Sequence, residues 1–240
     1  MRTVLVAGAA GGVGEGIVRQ VLLRCPELVL IATSRSQARL DALRERLGPV
    51  DLTRLRTLVG DVATAQRAEA LDAQIAHEFG PLDVAIASLG GWWEGGPFLD
   101  VDPPTWDAVM HEMLGTHVHF AQTFVPRLAR RPGSMYLGIG GGAAITPVPN
   151  AGLVSIAGAA QAMLTRVLAA EMTDVRIVEL IANGPVRTYE SPPDAPADWI
   201  SADDVGAVVA ALVAGDTPSW PALRKRGPLV IMDPLADRRR

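Results

Sequence analysis

Short apolar runs alternate with longer stretches of helical periodicity along the whole chain. TVLVAG at 3–8, LVLIAT at 28–33, LRTLVG at 55–60 and LDVAIAS at 82–88 read as strands, followed by MYLGIG at 135–140 and VRIVELI at 175–181. LVIM at 229–232 reads as a final strand. Continuous rather than alternating apolar runs mark strands covered on both faces. Helices are predicted from Gly12 to Cys25, from Gln37 to Leu47 and from Ala65 to Phe79, the last ended by Gly80-Pro81. A long helix begins near Pro103-Pro104, and another runs from about Gly152 to Met172. This alternation implies right-handed βαβ crossovers and a doubly wound parallel α/β sheet of about seven strands, with helices on both faces. No repeat, linker or composition break divides residues 1–240, so a single domain is expected.

Charge and composition narrow the class. The residues between Arg131 and Arg166 carry no formal charge, which raises the possibility of a membrane span of about 20 apolar residues. Pro147, Pro149, Asn150 and the Gly140–Gly142 run are expected to break that stretch into pieces too short to span. A net charge of -4 and a pI near 5.6 argue against nucleic acid or an anionic membrane surface as partner. The lone Cys25 excludes a disulfide framework and a Cys-rich metal site, and no metal is expected. MRTVLVAGAAGG breaks into glycines too early for a secretory leader, so a cytoplasmic location is expected. Two counts are unusual: the only tyrosines are Tyr136 and Tyr189, and Lys225 is the only lysine among 22 basic residues.

The first strand runs into Gly8-Ala9-Ala10-Gly11-Gly12-Val13-Gly14, which opens a helix. Free backbone N–H groups and the positive end of the helix dipole at such a point hold a diphosphate. Glycine lets the backbone approach it closely. This is the Rossmann arrangement for a dinucleotide, and the alternative is a tight turn with no ligand.

The spacing Gly8-x-x-x-Gly12-x-Gly14 resembles the fingerprint of the short-chain dehydrogenase/reductase family, and the resemblance extends over nearly the whole chain. It implies that Asp61-Val62 lies at the adenine and that Ser88 and Gly90 stand where the family has its Asn-Asn-Ala-Gly segment. It also implies that Gly184, Val186 and Thr188, within Asn183-Gly184-Pro185-Val186-Arg187-Thr188, hold the nicotinamide. At the end of the second strand an acidic residue would accept bonds from the ribose hydroxyls. Ser34-Arg35 stands there instead, and an arginine can pair bidentately with a 2′-phosphate. NADP(H) is therefore expected over NAD(H), a solvated surface arginine being the alternative.

The family's chemistry rests on an Asn-Ser-Tyr-Lys tetrad. By local spacing the resemblance puts the Asn position at Met113, the Ser position at Gly140, the Tyr position at Val154 and the Lys position at Gly158. None of the four can give or take a proton here. Composition agrees without any alignment: Gly140 follows Tyr136 by four and Pro193 follows Tyr189 by four, so no Tyr-x-x-x-Lys exists in the chain. The small replacements are expected to widen an apolar pocket beside the nicotinamide.

Tyr189, just beyond the nicotinamide segment, is a candidate replacement acid or a packing aromatic of the lid. His117, one turn after Met113 on the same helix face, is a second candidate or a core residue. Trp92, Trp93 and Trp199 fall on loops at the carboxyl ends of strands, where α/β sheets bind ligands; they would suit a small, flat apolar substrate or simply pack those loops, and Gly141 is expected beside the same substrate. The resemblance also implies a homodimer or homotetramer built on the long helices from Pro103 and Gly152. Three functions stay open: an oxidoreductase with a non-standard proton donor, a non-redox cyclase, dehydratase or isomerase, and a non-catalytic NADP(H)-binding regulator.

Overall fold

The computed structural model describes residues 1–216 and the backbone of 229–232. Lys225 and the Arg238–Arg240 terminus lie outside the described residues. Strands β1 (Arg2–Ala7), β2 (Leu28–Ser34), β3 (Leu55–Val59), β4 (Val84–Ala87), β5 (Met135–Gly141) and β6 (Arg176–Ala182) form one parallel sheet. Its order is β3-β2-β1-β4-β5-β6-β9, where β9 (Leu229–Met232) closes the edge antiparallel to β6. The predicted final strand is thus present but reversed, a common exception at the edge of a parallel sheet.

Both faces of the sheet are covered. Val4, Val6, Leu137, Ile139, Val178 and Leu180 pack toward α1 (Gly12–Arg24), α2 (Gln37–Arg46) and α7 (Ala202–Ala214). Their neighbours Leu5, Ala7, Ala85, Tyr136 and Ile177 face α3 (Ala65–Phe79), α5 (Thr116–Leu128) and α6 (Gly152–Glu171). This alternation follows from the two-residue period of a strand, and it explains why the strands read as unbroken apolar runs.

Local chemistry sets several boundaries. Thr64 accepts from the Arg67 N–H at the start of α3, and Gly80, at φ 74°, ends it. Asp102 accepts from the Thr105 N–H at 2.7 Å, with prolines in the first turn of α4 (Pro103–Met110). The long helix expected from Pro103 is not uniform: a π-helical turn over His111–Gly115 joins α4 to α5 and carries Met113. One extra residue in a helical turn leaves no apolar-period signature, and such bulges gather at functional sites. Sequence patterning also left α7 unassigned. A capping box starts it, with Ser201 and Asp204 exchanging bonds at 3.0 and 3.1 Å. Val186–Arg187 (β7) and Ile200–Ser201 (β8) pair in a small second sheet that ties off the loop between them.

The uncharged stretch after Arg131 is corrected by the structure. Pro147, Pro149, Asn150 and the Gly140–Gly142 run all precede α6, an unbroken 20-residue helix whose mean hydropathy of 1.5 makes it long and apolar enough to cross a membrane. In this fold Leu153, Ala157, Gln161, Thr165 and Ala169 form the buried side of α6, which packs on β5 and β6.

Helices α1 and α7 touch backbone to backbone. A Cβ on Gly206 would lie 2.1 Å from the Gly16 carbonyl oxygen, and one on Gly16 2.2 Å from that of Ala202. Gly206→Ala is therefore expected to destabilise the fold by about 3 kcal/mol, the upper end for overpacking. Thermal unfolding should show a midpoint lowered by about 6–12 °C; an unchanged midpoint would mean that the two helices can part without loss.

Candidate functional site

The sheet order reverses between β1 and β4, and the crevice that opens there at the carboxyl ends is where α/β sheets take ligands. Gly8 leaves β1 at φ 77°, and a Cβ there would sit 1.9 Å from the Ser88 carbonyl oxygen. Any other residue would push the β1 and β4 turns apart. The next residues carry the chain into α1 with Gly11 as an N-cap that makes no side-chain bond. The amides of the first turn thus point into the crevice with no side chain competing for them. A Cβ on Gly14 would strike the Gly8 carbonyl oxygen at 2.2 Å, and one on Gly12 would meet Thr188 at 2.6 Å. The turn is a cradle for a diphosphate, and the donor set fits a dinucleotide.

From this cradle a cleft of about 1020 Å³ runs along the carboxyl ends of β4, β5 and β6. Gly11, Gly12, Val13 and Gly14 line one end. Ser88, Gly90, Gly184, Val186 and Thr188 line the middle, with Trp92 and Trp199 at the rim. Met113, Gly140, Gly141, Val154 and Gly158 meet at the other end. The four positions selected by spacing therefore converge in space, although 45 residues separate the first from the last. Trp93 is not in the walls: its ring folds over Gly95, where a Cβ would come within 2.2 Å of it.

The expected widening is only partly realised. At Gly158 a projected Cβ lies 3.2 Å from the Cβ of Ala144, so the vacated space is filled from the turn after β5. At Gly140 it lies 3.0 Å from Oε1 of Glu179, 3.5 Å from Ile181 and 3.7 Å from Nε2 of Gln161. The two small residues are backed by other groups, one of them a carboxyl.

Six predicted cofactor residues lie outside the walls of the cleft. Ser34 ends β2 and Arg35 follows it, and Asp61 and Val62 come after β3. Arg35 pairs with Glu112 at 3.7 Å, both side chains more than 60% exposed. Asp61 accepts from the Ala63 N–H at 2.9 Å and pairs with Arg67 at 3.0 Å, while Val62 is buried. Gly8 and Ala10 sit behind the cradle rather than in its wall. Arg39 does line the cleft and donates to the Ala10 carbonyl at 3.3 Å. Sequence reasoning missed it; it lies in the first turn of α2, four residues after Arg35, which precedes the Ser36 cap.

The two candidate acids point elsewhere. The Tyr189 hydroxyl donates to the Ala10 carbonyl at 3.0 Å, and the Arg46 guanidinium lies 3.8 Å from its ring centroid. Arg46 is held in turn by the buried Glu15 at 2.5 Å. Tyr189 thus straps its loop to the outer side of the glycine turn, away from Gly140 and Val154. His117 is 1% exposed, with Nε2 3.4 Å from the Leu89 carbonyl oxygen. Burial pulls its pKa down to about 4, so the ring stays neutral and props the turn after β4 from below. Neither side chain enters the cleft.

Sequence reasoning also passed over Glu179. It lies on β6 beside Gly138 of β5, fully buried, and among the described residues neither carboxyl oxygen has a hydrogen-bond partner. Burial pushes its pKa up to about 7, with Arg166 opposing the shift. The available signal was one acid inside VRIVELI facing the glycines of MYLGIG.

A family model described as short chain dehydrogenase matches residues 2–194. A short-chain type dehydrogenase/reductase of Picea abies is 25% identical over 193 residues, covering 78% of this chain and 71% of that protein. A hydroxysteroid 11-beta-dehydrogenase 1-like protein of Xenopus tropicalis is 28% identical over 151 residues, which span 61% of this chain and 50% of that one. Among solved structures, an alcohol dehydrogenase of the archaeon Thermococcus sibiricus complexed with 5-hydroxy-NADP superposes with a TM-score of 0.74 at 23% identity, covering 91% and 92% of the two chains. A metagenomic short-chain oxidoreductase in complex with NADP gives 0.71 at 22% identity, covering 90% and 91%. At these identities the structures establish a shared fold.

Two measurements check the placement of the candidate acids. Tyr189→Phe loses one hydrogen bond and should cost about 1 kcal/mol, a drop in unfolding midpoint of about 2–4 °C. A hundredfold loss of activity in that variant would instead put the hydroxyl at the reacting atoms. For His117, the unfolded chain takes up a proton below about 6.5 while the folded one resists until about 4. Its contribution is therefore complete above pH 6.5 and lost as pH falls through that window, on the order of 3 kcal/mol. Comparing midpoints from pH 7 to 4, wild type should lose this increment and His117→Phe should not.

Proposed function

Because the chain belongs to the short-chain dehydrogenase family, we propose that it is an NADP(H)-dependent oxidoreductase acting on a small apolar carbonyl or alcohol without the Tyr–Lys pair. The observation that carries the reading is the continuity of the cleft. One cavity joins the amides of the glycine turn to an apolar end at Met113, Val154 and Gly158. The Gly12–Gly14 turn would hold the diphosphate, and Gly184, Val186 and Thr188 would flank the nicotinamide. When bound, the cofactor supplies or accepts a hydride at the nicotinamide ring. The chain's own residues orient the two reactants and keep water out, which alone lowers a barrier by several kcal/mol.

Arg35 and Arg39 support a 2′-phosphate. The pairs of Arg35 with Glu112 at 3.7 Å and of Arg39 with Glu190 at 3.8 Å are solvent-exposed, so exchanging either carboxylate for a phosphate costs little. Two of the superposed structures, those with NADP and 5-hydroxy-NADP, carry cofactors of this type. The substrate end is lined mainly by apolar groups, with Trp92 and Trp199 at its mouth, which supports a flat apolar substrate. The reading also includes a homo-oligomer, supported by Ile156, Met163 and Val167 exposed on one side of α6. The reading includes a cytoplasmic location, and the net charge of -4 weighs against nucleic acid or an anionic membrane surface as partner.

A second reading, a non-catalytic NADP(H)-binding regulator, draws on the placement of Tyr189 and His117 outside the cleft. Calorimetry with NADPH and NADH, followed by absorbance of the reduced cofactor over a panel of aromatic ketones, separates the two. NADPH is expected to bind more tightly than NADH. Arg35→Ala should weaken NADPH about tenfold or more and leave NADH unchanged, since a bond to a charged group contributes about 1.5–3 kcal/mol. Equal binding of both cofactors would remove the preference. Tight NADPH binding with no ketone reduced would favour the regulator.

A further inference from the structure

The side of the sheet beneath α6 holds an acid that nothing in the cofactor cradle uses. On β5 the residues facing α6 are Tyr136, Gly138 and Gly140, and the last two supply no side chain. Glu179 on β6 occupies the room they leave, and its Oε1 approaches the Gly140 Cβ position at 3.0 Å. Gly140 and Gln161 line the cleft, and Glu179 lies behind Gly140 without itself entering the wall. Gln161 is committed, donating to the Ile139 carbonyl at 3.0 Å, and Thr165 donates to the Gln161 carbonyl at 3.2 Å. Among the described residues both Glu179 oxygens are left without a hydrogen bond, and a buried carboxyl in that position calls for an explanation such as a catalytic role.

We propose that Glu179 is the acid–base group of this site, its carboxyl reaching the substrate oxygen across the side-chain-free backbone at Gly140. The inference rests on the oxidoreductase reading. In reduction, hydride from the reduced nicotinamide forms a new C–H bond at the carbonyl carbon. The C=O π pair moves to oxygen, and that oxygen takes the Glu179 proton. The products are the alcohol, the oxidised cofactor and a carboxylate that solvent water reprotonates; oxidation runs the same step in reverse. A general acid works best with a pKa near the working pH, and burial brings this carboxyl up to about 7. Among the described residues, the charged and titratable groups acting on it are Arg166 of α6, which pulls its pKa down, and Tyr136 of β5, whose hydroxyl is raised by burial and by the Glu179 charge.

Glu179→Gln keeps the shape and removes the proton, and Glu179→Leu serves as an apolar filler should the amide variant fail to fold. NADPH binding by calorimetry should match wild type in both, because Glu179 lies outside the cradle. With acetophenone as probe, wild-type kcat for reduction should fall as pH rises through about 7. In the variants kcat should drop about 10²-fold or more and that limb should vanish. Variants that keep wild-type kcat and the same pH profile would overturn the proposal. An infrared band of the protonated carboxyl, present in wild type at pH 6 and absent from both variants, should shift when acetophenone is added. If wild type binds NADPH but reduces no ketone, the oxidoreductase reading fails, and the infrared measurement still decides for Glu179. A band that acetophenone leaves unmoved shows that the carboxyl does not face the substrate.

Discussion

Everything at this site depends on one close approach, that of Gly8 to the Ser88 carbonyl oxygen. With only 1.9 Å between that oxygen and a projected Cβ, the turns after β1 and β4 can meet only if residue 8 has no side chain. Their meeting fixes where α1 starts, and so where its unpartnered amides point. It also fixes the distance from those amides to the ends of β5 and β6, because β4 is hydrogen-bonded to β5 and β5 to β6 in unbroken register. The α1–α7 contact through Gly16 and Gly206 holds the outer side of α1 in the same way. The cradle is thus placed by backbone on backbone, with no reliance on long side chains.

Much of this was legible because buried parallel strands have a one-dimensional signature. TVLVAG, LVLIAT and MYLGIG gave strands within a residue or so of those observed, and the glycine turn between a strand and a helix defined the cradle. What escaped had no periodic signal or was set by distant chain. The π-helical turn at His111–Gly115 inserts one residue without altering hydropathy. Helix α7 is apolar nearly all round, so it lacks a polar stripe and only its Ser201–Asp204 cap announces it. Tyr189 was placed correctly along the chain but wrongly in space. Its direction is decided by Arg46 and Ala10, residues 143 and 179 positions away.

The spacing argument for the four tetrad positions stood on short stretches of chain, yet all four meet in one cleft. What spacing could not supply was the content of the space behind them. A glycine in a sequence says that a side chain is gone; it does not say what has moved in. Ala144 closes the gap at Gly158 from the turn after β5, and Glu179 closes the gap at Gly140 from the neighbouring strand. The pocket is less enlarged than the substitutions suggest, and its floor is backed by a group that can ionise.

That exchange has a chemical logic. In the family pattern a tyrosine is a poor acid–base group at neutral pH, and a nearby lysine draws its pKa down from about 10. A carboxyl errs in the other direction, since its ordinary pKa near 4 leaves it without a proton at pH 7. Desolvation corrects that error without any second residue, because burial penalises the charged form. Glu179 reaches about 7 by this route, and the opposing influence of Arg166 limits the shift. A chain with no Tyr-x-x-x-Lys can therefore arrive at a neutral-range acid by subtraction: two glycines on β5 make the room, and burial of the carboxyl raises its pKa.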